Sequence, residues 1–542
     1  MGIIASGVRA ASAGRGWALP AALAVGLALT LKAALLAAQA FPFNADEAVV
    51  ALMARHMLAG ARPAFFYGQA YMGSLDAALV ALGFAAFGQQ VWVIRLLQSL
   101  LYAGTVASTA ALAGRMLGGA RPALVAGLLM AVPAVNVTLY TTVSLGGYGE
   151  ALLIGNLLML LALQIRQQPR ERWRYALWGA LAGLGFWGFA LTLVYALPSG
   201  WMVLRAAARG LRPGEAGPRL ALLVLMALTG AAPWIAWALR HGLGLLIAEA
   251  GGSAIAGASP TGLLPRAAAH TLNLLLFGTT AVWGLRPPWE IRWLAWPLLP
   301  AALVFWLGVT AHTLRRLWAA DSIRRGLWLP AASAGLLMAG FILTPFGADP
   351  SGRYFLPLAP AGALFAAHAL ESVWRRDLRT LAAAAVAAVV AFNLWGTVEC
   401  ARRNPPGFTT QFDASTRIDR RHDQALIDFL QARGERRGYT TYWVSYPLAF
   451  LSGEDLVFVS RLPYHHDLRY TPRDDRYAPY GQAVEASARV AYILAGEHPL
   501  QARLRQALDA AGVAFAETTI GDYHVFHDLG RRVTPDELNL LP

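Results

Sequence analysis

The chain has 542 residues, of which 57% are hydrophobic and only 14% charged, against roughly 25% charged residues in soluble globular chains. Its net charge of +14 is almost all arginine (Lys32 is the sole lysine) and sits in short segments between apolar runs, which argues for membrane topology rather than a nucleic-acid partner. One cysteine, Cys400, excludes a disulfide framework and thiolate metal clusters, and no GxxxxGK[ST] loop supports ATP hydrolysis.

Apolar windows long enough to cross a bilayer of ~30 Å fall near 17–40, 92–114, 122–140, 148–165, 175–190, 191–207, 220–239, 293–313, 326–344, 355–373 and 380–397, about eleven spans. The first follows Arg9 and Arg15 as a signal peptide would, but its length predicts an uncleaved helix. The 175–207 stretch reads as two short helices broken near Gly188. With the N-terminus cytoplasmic, the inner segments collect Arg115, Arg121, Arg166, Arg170, Arg315 and Arg316 in large excess over acids, whereas the outer segments of the membrane half are balanced. That asymmetry needs an odd span count, so the short apolar stretch 72–88 is expected to lie at the outer surface.

The first outer loop then runs from about 41 to 91, with surface helices near 46–59 and 74–87, and a second outer segment, 240–291, carries a helix near 267–280. After Trp395 the composition turns to Asp, Arg, His and Tyr. Residues 398–542 read as a small α/β domain: a helix over 419–433, an aromatic strand Tyr439–Val444, strands at 455–460, 489–494 and 521–527, and a helix near 499–511. The expected fold is an all-α polytopic membrane protein, residues 1–397, with outer-face juxtamembrane helices, plus this extracytoplasmic α/β domain. The chain shows no internal repeat.

Three outer-face groups invite chemistry. Asp46 and Glu47 stand side by side just after the first span, where carboxylates are costly unless solvated or used; alternatively Asn44 or Asp46 caps the next helix, with Glu47 favourable in its first turn. Glu150 follows Gly146, Gly147 and Gly149 at the start of the fourth span, where close approach of a ligand competes with a plain water-facing helix start. Arg353, at the membrane lip, suits a lipid phosphate or else anchors the interface by snorkelling. Lys32 and Arg95 need a partner or an aqueous route: Lys32 either neutralises an acid or snorkels. His465-His466-Asp467 lacks metal-site spacing and reads as a solvated loop.

This combination resembles the GT-C superfamily of membrane glycosyltransferases, close to the family 39 type of protein O-mannosyltransferases and aminoarabinose transferases, and a bacterial branch of it. The resemblance covers roughly 17–397. It rests on Asp46-Glu47 after the first span, the amphipathic continuation to Gly60, the turn Phe65-Phe66-Tyr67-Gly68-Gln69, Arg95 opening the second span, Glu150, and Arg353-Tyr354-Phe355-Leu356-Pro357-Leu358. Their order and outer-face placement carry it, not any single motif. Many relatives have a Pro-Pro pair where this chain reads Tyr71-Met72-Gly73-Ser74-Leu75-Asp76, so sugar and acceptor do not carry over.

The resemblance implies inverting transfer of a sugar, hexosyl or pentosyl, from a polyprenyl-phosphate donor to an acceptor hydroxyl (protein, lipid or glycan) on the outer side of the cell membrane. Asp46 would be the general base. Glu47 and Glu150 would position hydroxyls, and Arg353 would stabilise the departing lipid phosphate. Tyr354, Tyr67, Gln69, Tyr71 and Arg95 would join Arg353 in binding substrate. The leaving phosphate supplies the driving force, so no cofactor is expected and a metal is unsupported. The C-terminal tail is similar to tails in that branch through Tyr442-Trp443-Val444-Ser445-Tyr446-Pro447, and the resemblance implies no role for it. A flippase of lipid-linked sugars is the alternative, though it should show repeated halves and midplane polar groups; a non-catalytic glycan-assembly protein is another.

Overall fold

The computed structural model describes residues 16–251, 262–349, 351–403, 407–413, 416–465 and 467–540; Arg9, Arg15, Pro350 and His466 lie outside the described residues. Every apolar window of the sequence is helical. Among the described residues six helices are each long and apolar enough to cross a membrane: Ala18–Ala37, Val91–Gly118, Tyr148–Gln167, Ala190–Gly210, Trp296–Arg316 and Arg379–Arg402. Ala216–Gly230 and Ala232–His241, bent by 65°, make a seventh if taken as one span. Leu19, Leu204, Val304, Leu307 and Leu381 point outward, as expected where the surrounding solvent is hydrocarbon. The chain is a multi-pass membrane protein.

Several windows are shorter or more broken than the hydropathy pattern suggests. The expected span 122–140 is a helix Ala120–Ala131 and a short helix Val135–Tyr140, because Pro133 cannot continue the hydrogen-bond ladder. The break near Gly188 is present, between Arg172–Gly188 and the turn at Ala190. Arg172–Gly188 packs tightly on Ala216–Gly230: a Cβ on Gly179 or Gly183 would collide with the carbonyls of Leu223 and Ala227. Small residues let helix backbones touch where lipid offers no hydrophobic drive to association.

The residues divide into two compact units. One comprises the chain to Ala38, Tyr71–Asp76 and Arg95–Ala401; the other joins Gln39–Ala70 and Ala77–Ile94 of the first outer loop to Arg402–Pro542.

In the second unit a five-stranded sheet runs in the order β4-β3-β5-β7-β6, with β3 Arg437–Thr440, β4 Val457–Ser460, β5 Ala491–Ala495, β6 Ala516–Ile520 and β7 Tyr523–His527. A two-stranded hairpin of the outer loop supplies β1 Phe65–Phe66 and β2 Gln69–Gly73. Strand β3 pairs in parallel with β4 and β5, while β7 is antiparallel to β5 and β6. Leu426, Leu430, Val444, Phe458, Ile493 and Val525 form the core under it.

The aromatic strand expected at Tyr439–Val444 is corrected here. The strand ends at Thr440, and Tyr442–Leu451 is a helix. Its β-favouring aromatics are buried, with Ser445 donating to the Phe458 carbonyl at 2.6 Å, so packing overrides strand propensity. The helix expected over 419–433 begins at Asp423, after a 3₁₀ turn. Strand β6 and the helix Ala478–Glu485 were not signalled by periodicity.

Gln39–Ala70 and Ala77–Ile94 are built into this unit. Phe408 donates its N–H to the Ala40 carbonyl at 2.7 Å and stacks on Phe41. The helix Ala45–Leu58 lies on Tyr442–Leu451: Phe43 and Phe84 meet Phe450, and Arg55 covers its ring at 4.5 Å while donating to its carbonyl at 3.0 Å. Glu454 ties the far end, accepting from Tyr480 at 2.7 Å and pairing with His56 at 2.9 Å.

Candidate active site

Asn44 is the cap of the helix Ala45–Leu58: its Oδ1 accepts from the N–H of Glu47 at 3.0 Å. Asp46 is thereby released from capping. Glu47 is fully buried. The Asp46 side chain is 14% exposed, and its Oδ1 accepts the Tyr442 hydroxyl at 2.5 Å and faces Arg476 Nη2 at 3.5 Å. Among the described residues no hydrogen bond or ion pair falls on its Oδ2. Neither Tyr442 nor Arg476 was singled out by sequence reasoning, although Tyr442 opens the tail motif.

Arg476 lies between aromatic faces, 4.6 Å from the Tyr442 ring and 5.4 Å from Phe66. Its stem needs the turn of the β1–β2 hairpin to be bare: Gly68 has φ +71°, and a Cβ there would stand 2.9 Å from Arg476 Cγ. Gly68→Ala is therefore expected to destabilise the protein through both the left-handed backbone, about 1–2 kcal/mol, and displacement of Arg476. A lowered melting temperature together with reduced activity would register it. Tyr67, in the same turn, bonds His56 Nδ1 at 3.0 Å and stacks on Tyr477. Gln69 lies at the start of β2.

Burial pushes Asp474 up to about 7, with Asp46 adding to the rise and Arg476 opposing it. An acid whose folded pKa exceeds its unfolded value stabilises the fold below the unfolded value, near pH 4. That contribution is lost as pH rises through about 7. The contribution is at most about 4 kcal/mol. The melting temperature is expected to fall between pH 5 and 8 by a margin that Asp474→Asn narrows; an unchanged margin would rule out this assignment.

In the other unit, Arg353 Nη2 pairs with Asp349 at 2.7 Å, and Asp349 also accepts the Ser351 N–H at 2.7 Å. Burial works against the Arg353 charge, but Asp349, Tyr354 and Tyr148 outweigh it and hold the guanidinium well above its ordinary value. Among the described residues Arg353 Nε is buried without a hydrogen-bond partner, as is Nδ2 of Asn136, which lies next to Gly352. Two orphaned donors beside a fixed cation make an environment for an anion. Tyr354 is buried against Phe346 and Tyr148, and Tyr71 meets Phe346 edge-on. Arg95 is half-buried on the second span.

Glu150 is buried, so the water-facing helix start does not occur. It faces Asp76, whose carboxylate accepts from Gln98 at 2.9 Å and from Ser144. Among the described residues Glu150 has no hydrogen-bond partner outside that pair. Asp76 was missed as a partner because seventy-odd residues of chain separate it from Glu150. Lys32 neither meets an acid nor snorkels: its ammonium donates to the Thr141 carbonyl at 2.7 Å and to the hydroxyls of Thr141 at 3.0 Å and Thr142 at 2.6 Å, beneath the Tyr102 ring. Among the described residues no group of three or more His, Cys, Asp or Glu could hold a metal.

No family model and no curated protein matches the chain. Among solved structures it is similar to ArnT from Cupriavidus metallidurans bound to undecaprenyl phosphate, with a TM-score of 0.57 at 15% identity over 95% of this chain and 98% of that one. The same protein in the apo state gives 0.53 at 14% identity, covering 92% and 97%. The chain has the GT-C fold. The apo oligosaccharyltransferase of Archaeoglobus fulgidus shares it more distantly, with a TM-score of 0.50 at 11% identity over 91% of this chain and 71% of that one. The likeness is one of fold and gives no separate support to family 39.

Proposed function

We propose that this protein is a membrane glycosyltransferase that moves a sugar from a polyprenyl-phosphate donor to an acceptor hydroxyl on the extracytoplasmic side, inverting the anomeric carbon. In the reaction the acceptor oxygen bonds to the anomeric carbon as its proton passes to Asp46 Oδ2. The bond from that carbon to the phosphate oxygen breaks, its electron pair leaving with the polyprenyl phosphate. A lipid phosphate is the ligand we assign to Arg353, where the donors of Arg353 and Asn136 are orphaned among the described residues. Glu150, Tyr354, Tyr71, Tyr67, Gln69 and Arg95 remain candidates for holding sugar and acceptor.

The observation that carries this reading is a largely buried carboxylate at the helix start, one oxygen held and the other unengaged among the described residues, in a chain with the GT-C fold. That ArnT has been seen with undecaprenyl phosphate supports the class of donor. Detergent-purified protein incubated with a panel of radiolabelled polyprenyl-phosphate sugars, with and without membrane extract as acceptor source, tests it. Extract-dependent transfer supports the enzyme and identifies the donor. No transfer from any donor, with reconstituted vesicles moving the lipid across the bilayer, would establish the flippase instead.

A further inference from the structure

The C-terminal α/β domain has so far no part in the chemistry, yet its residues are the ones that touch Asp46. We infer that Tyr442 and Arg476, both contributed by the C-terminal domain, are positioning residues that hold the Asp46 carboxylate in its working orientation, an inference that rests on the reading of Asp46 as the base. The geometry is one-sided. Tyr442 donates to Oδ1 at 2.5 Å and Arg476 approaches the same oxygen at 3.5 Å. A carboxylate pinned through one oxygen cannot rotate about its terminal torsion, so the other stays aimed outward to accept a proton.

The donors are themselves rigid. The Tyr442 side chain is fully packed, edge-on to both Trp443 and Tyr446. Burial, reinforced by Asp46 and opposed by Arg476, raises the Tyr442 phenol well above its ordinary value. It thus remains a neutral donor to the carboxylate rather than a competing acid. Arg476 is fixed by the rings of Tyr442 and Phe66, by the bare Gly68 turn, and by its own N–H donating to the Tyr446 hydroxyl at 2.6 Å. Tyr446 in turn donates to the Asp474 carbonyl at 2.8 Å. Helix and loop thus converge on one carboxylate oxygen, and the hairpin turn backs the Arg476 stem.

Steady-state kinetics of Tyr442→Phe, Arg476→Lys and Arg476→Gln, alone and combined with Asp46→Asn, test the inference. Tyr442→Phe removes one hydroxyl and is expected to lower kcat about tenfold, with KM for the donor unchanged, the effect of losing one charge-assisted hydrogen bond to a catalytic group. Arg476→Gln should lower kcat similarly and Arg476→Lys should recover part of the loss, because charge is kept while the fork geometry is not. In the Asp46→Asn background the Tyr442 change should cost nothing more. A residue acting only on stability would instead multiply its loss with that of Asp46→Asn.

Multiplying losses, or a Tyr442→Phe enzyme within twofold of the unmodified one while Asp46→Asn is inactive, overturns the inference and leaves the base in place. Full transfer by Asp46→Asn overturns the base and the inference together. If Tyr442→Phe fails to accumulate, the comparison of Arg476→Lys with Arg476→Gln decides, and equal losses in those two count against the inference.

Discussion

Asp46→Asn is expected to lower sugar transfer by ~10²–10⁴-fold, the usual worth of general base assistance. The substitution keeps the size of the side chain and leaves an amide oxygen that still accepts from Tyr442, so the helix start and its Asn44 cap should persist. What is lost is the ability to take a proton at the second oxygen. KM for the donor should change little, because the proposed function assigns the donor's phosphate to Arg353, and the defect should appear in kcat. Donor turnover measured against thermal melting separates this from misfolding. Unaltered transfer with an unaltered melting temperature would remove Asp46 from the mechanism. Loss of both would mean that its contacts with Tyr442 and Arg476 are chiefly structural.

The second large effect is expected at Arg353. Arg353→Gln should reduce kcat by ~10²–10³-fold, the range found when one donor to a developing anion is removed. Asp349 would be left buried without its ion-pair partner, so some loss of stability should accompany it. The double variant Arg353→Gln with Asp349→Asn resolves the two effects: stability should return while transfer does not. Arg353→Lys should restore little, since an ammonium cannot serve Asp349 and a phosphate with the same planar fork. If the double variant regains transfer, Arg353 serves only to neutralise Asp349.

Much of this was legible in the residues themselves. Hydropathy windows located the helices because a bilayer demands long apolar runs whatever they pack against. The helix after the first span was announced by Asn44 and the acids behind it, a local capping pattern. The composition changes after Trp395, but the helix Arg379–Arg403 runs on past it. Local rules failed where neighbours in space outvoted neighbours in sequence. Tyr442–Val444 reads as strand by propensity but is helix because the sheet and the outer-loop helix both pack on it. Of the two readings open for Glu150, the water-facing one fails because the side chain is buried against Asp76.

By itself, then, the sequence determined that the chain crosses the membrane many times, that acids follow the first span, and that an α/β tail closes the chain. Each is a short-range consequence of side-chain type: apolar length, capping chemistry, period-two alternation. Only the tertiary structure decided that Gln39–Ala70 and Ala77–Ile94 form one compact unit with the tail and that Asp46 meets a hydroxyl 396 residues away. No local pattern encodes such a meeting. It exists because the aromatic faces of Phe43, Phe84 and Phe450 must be buried together, and burying them brings the polar groups at their edges within hydrogen-bond reach.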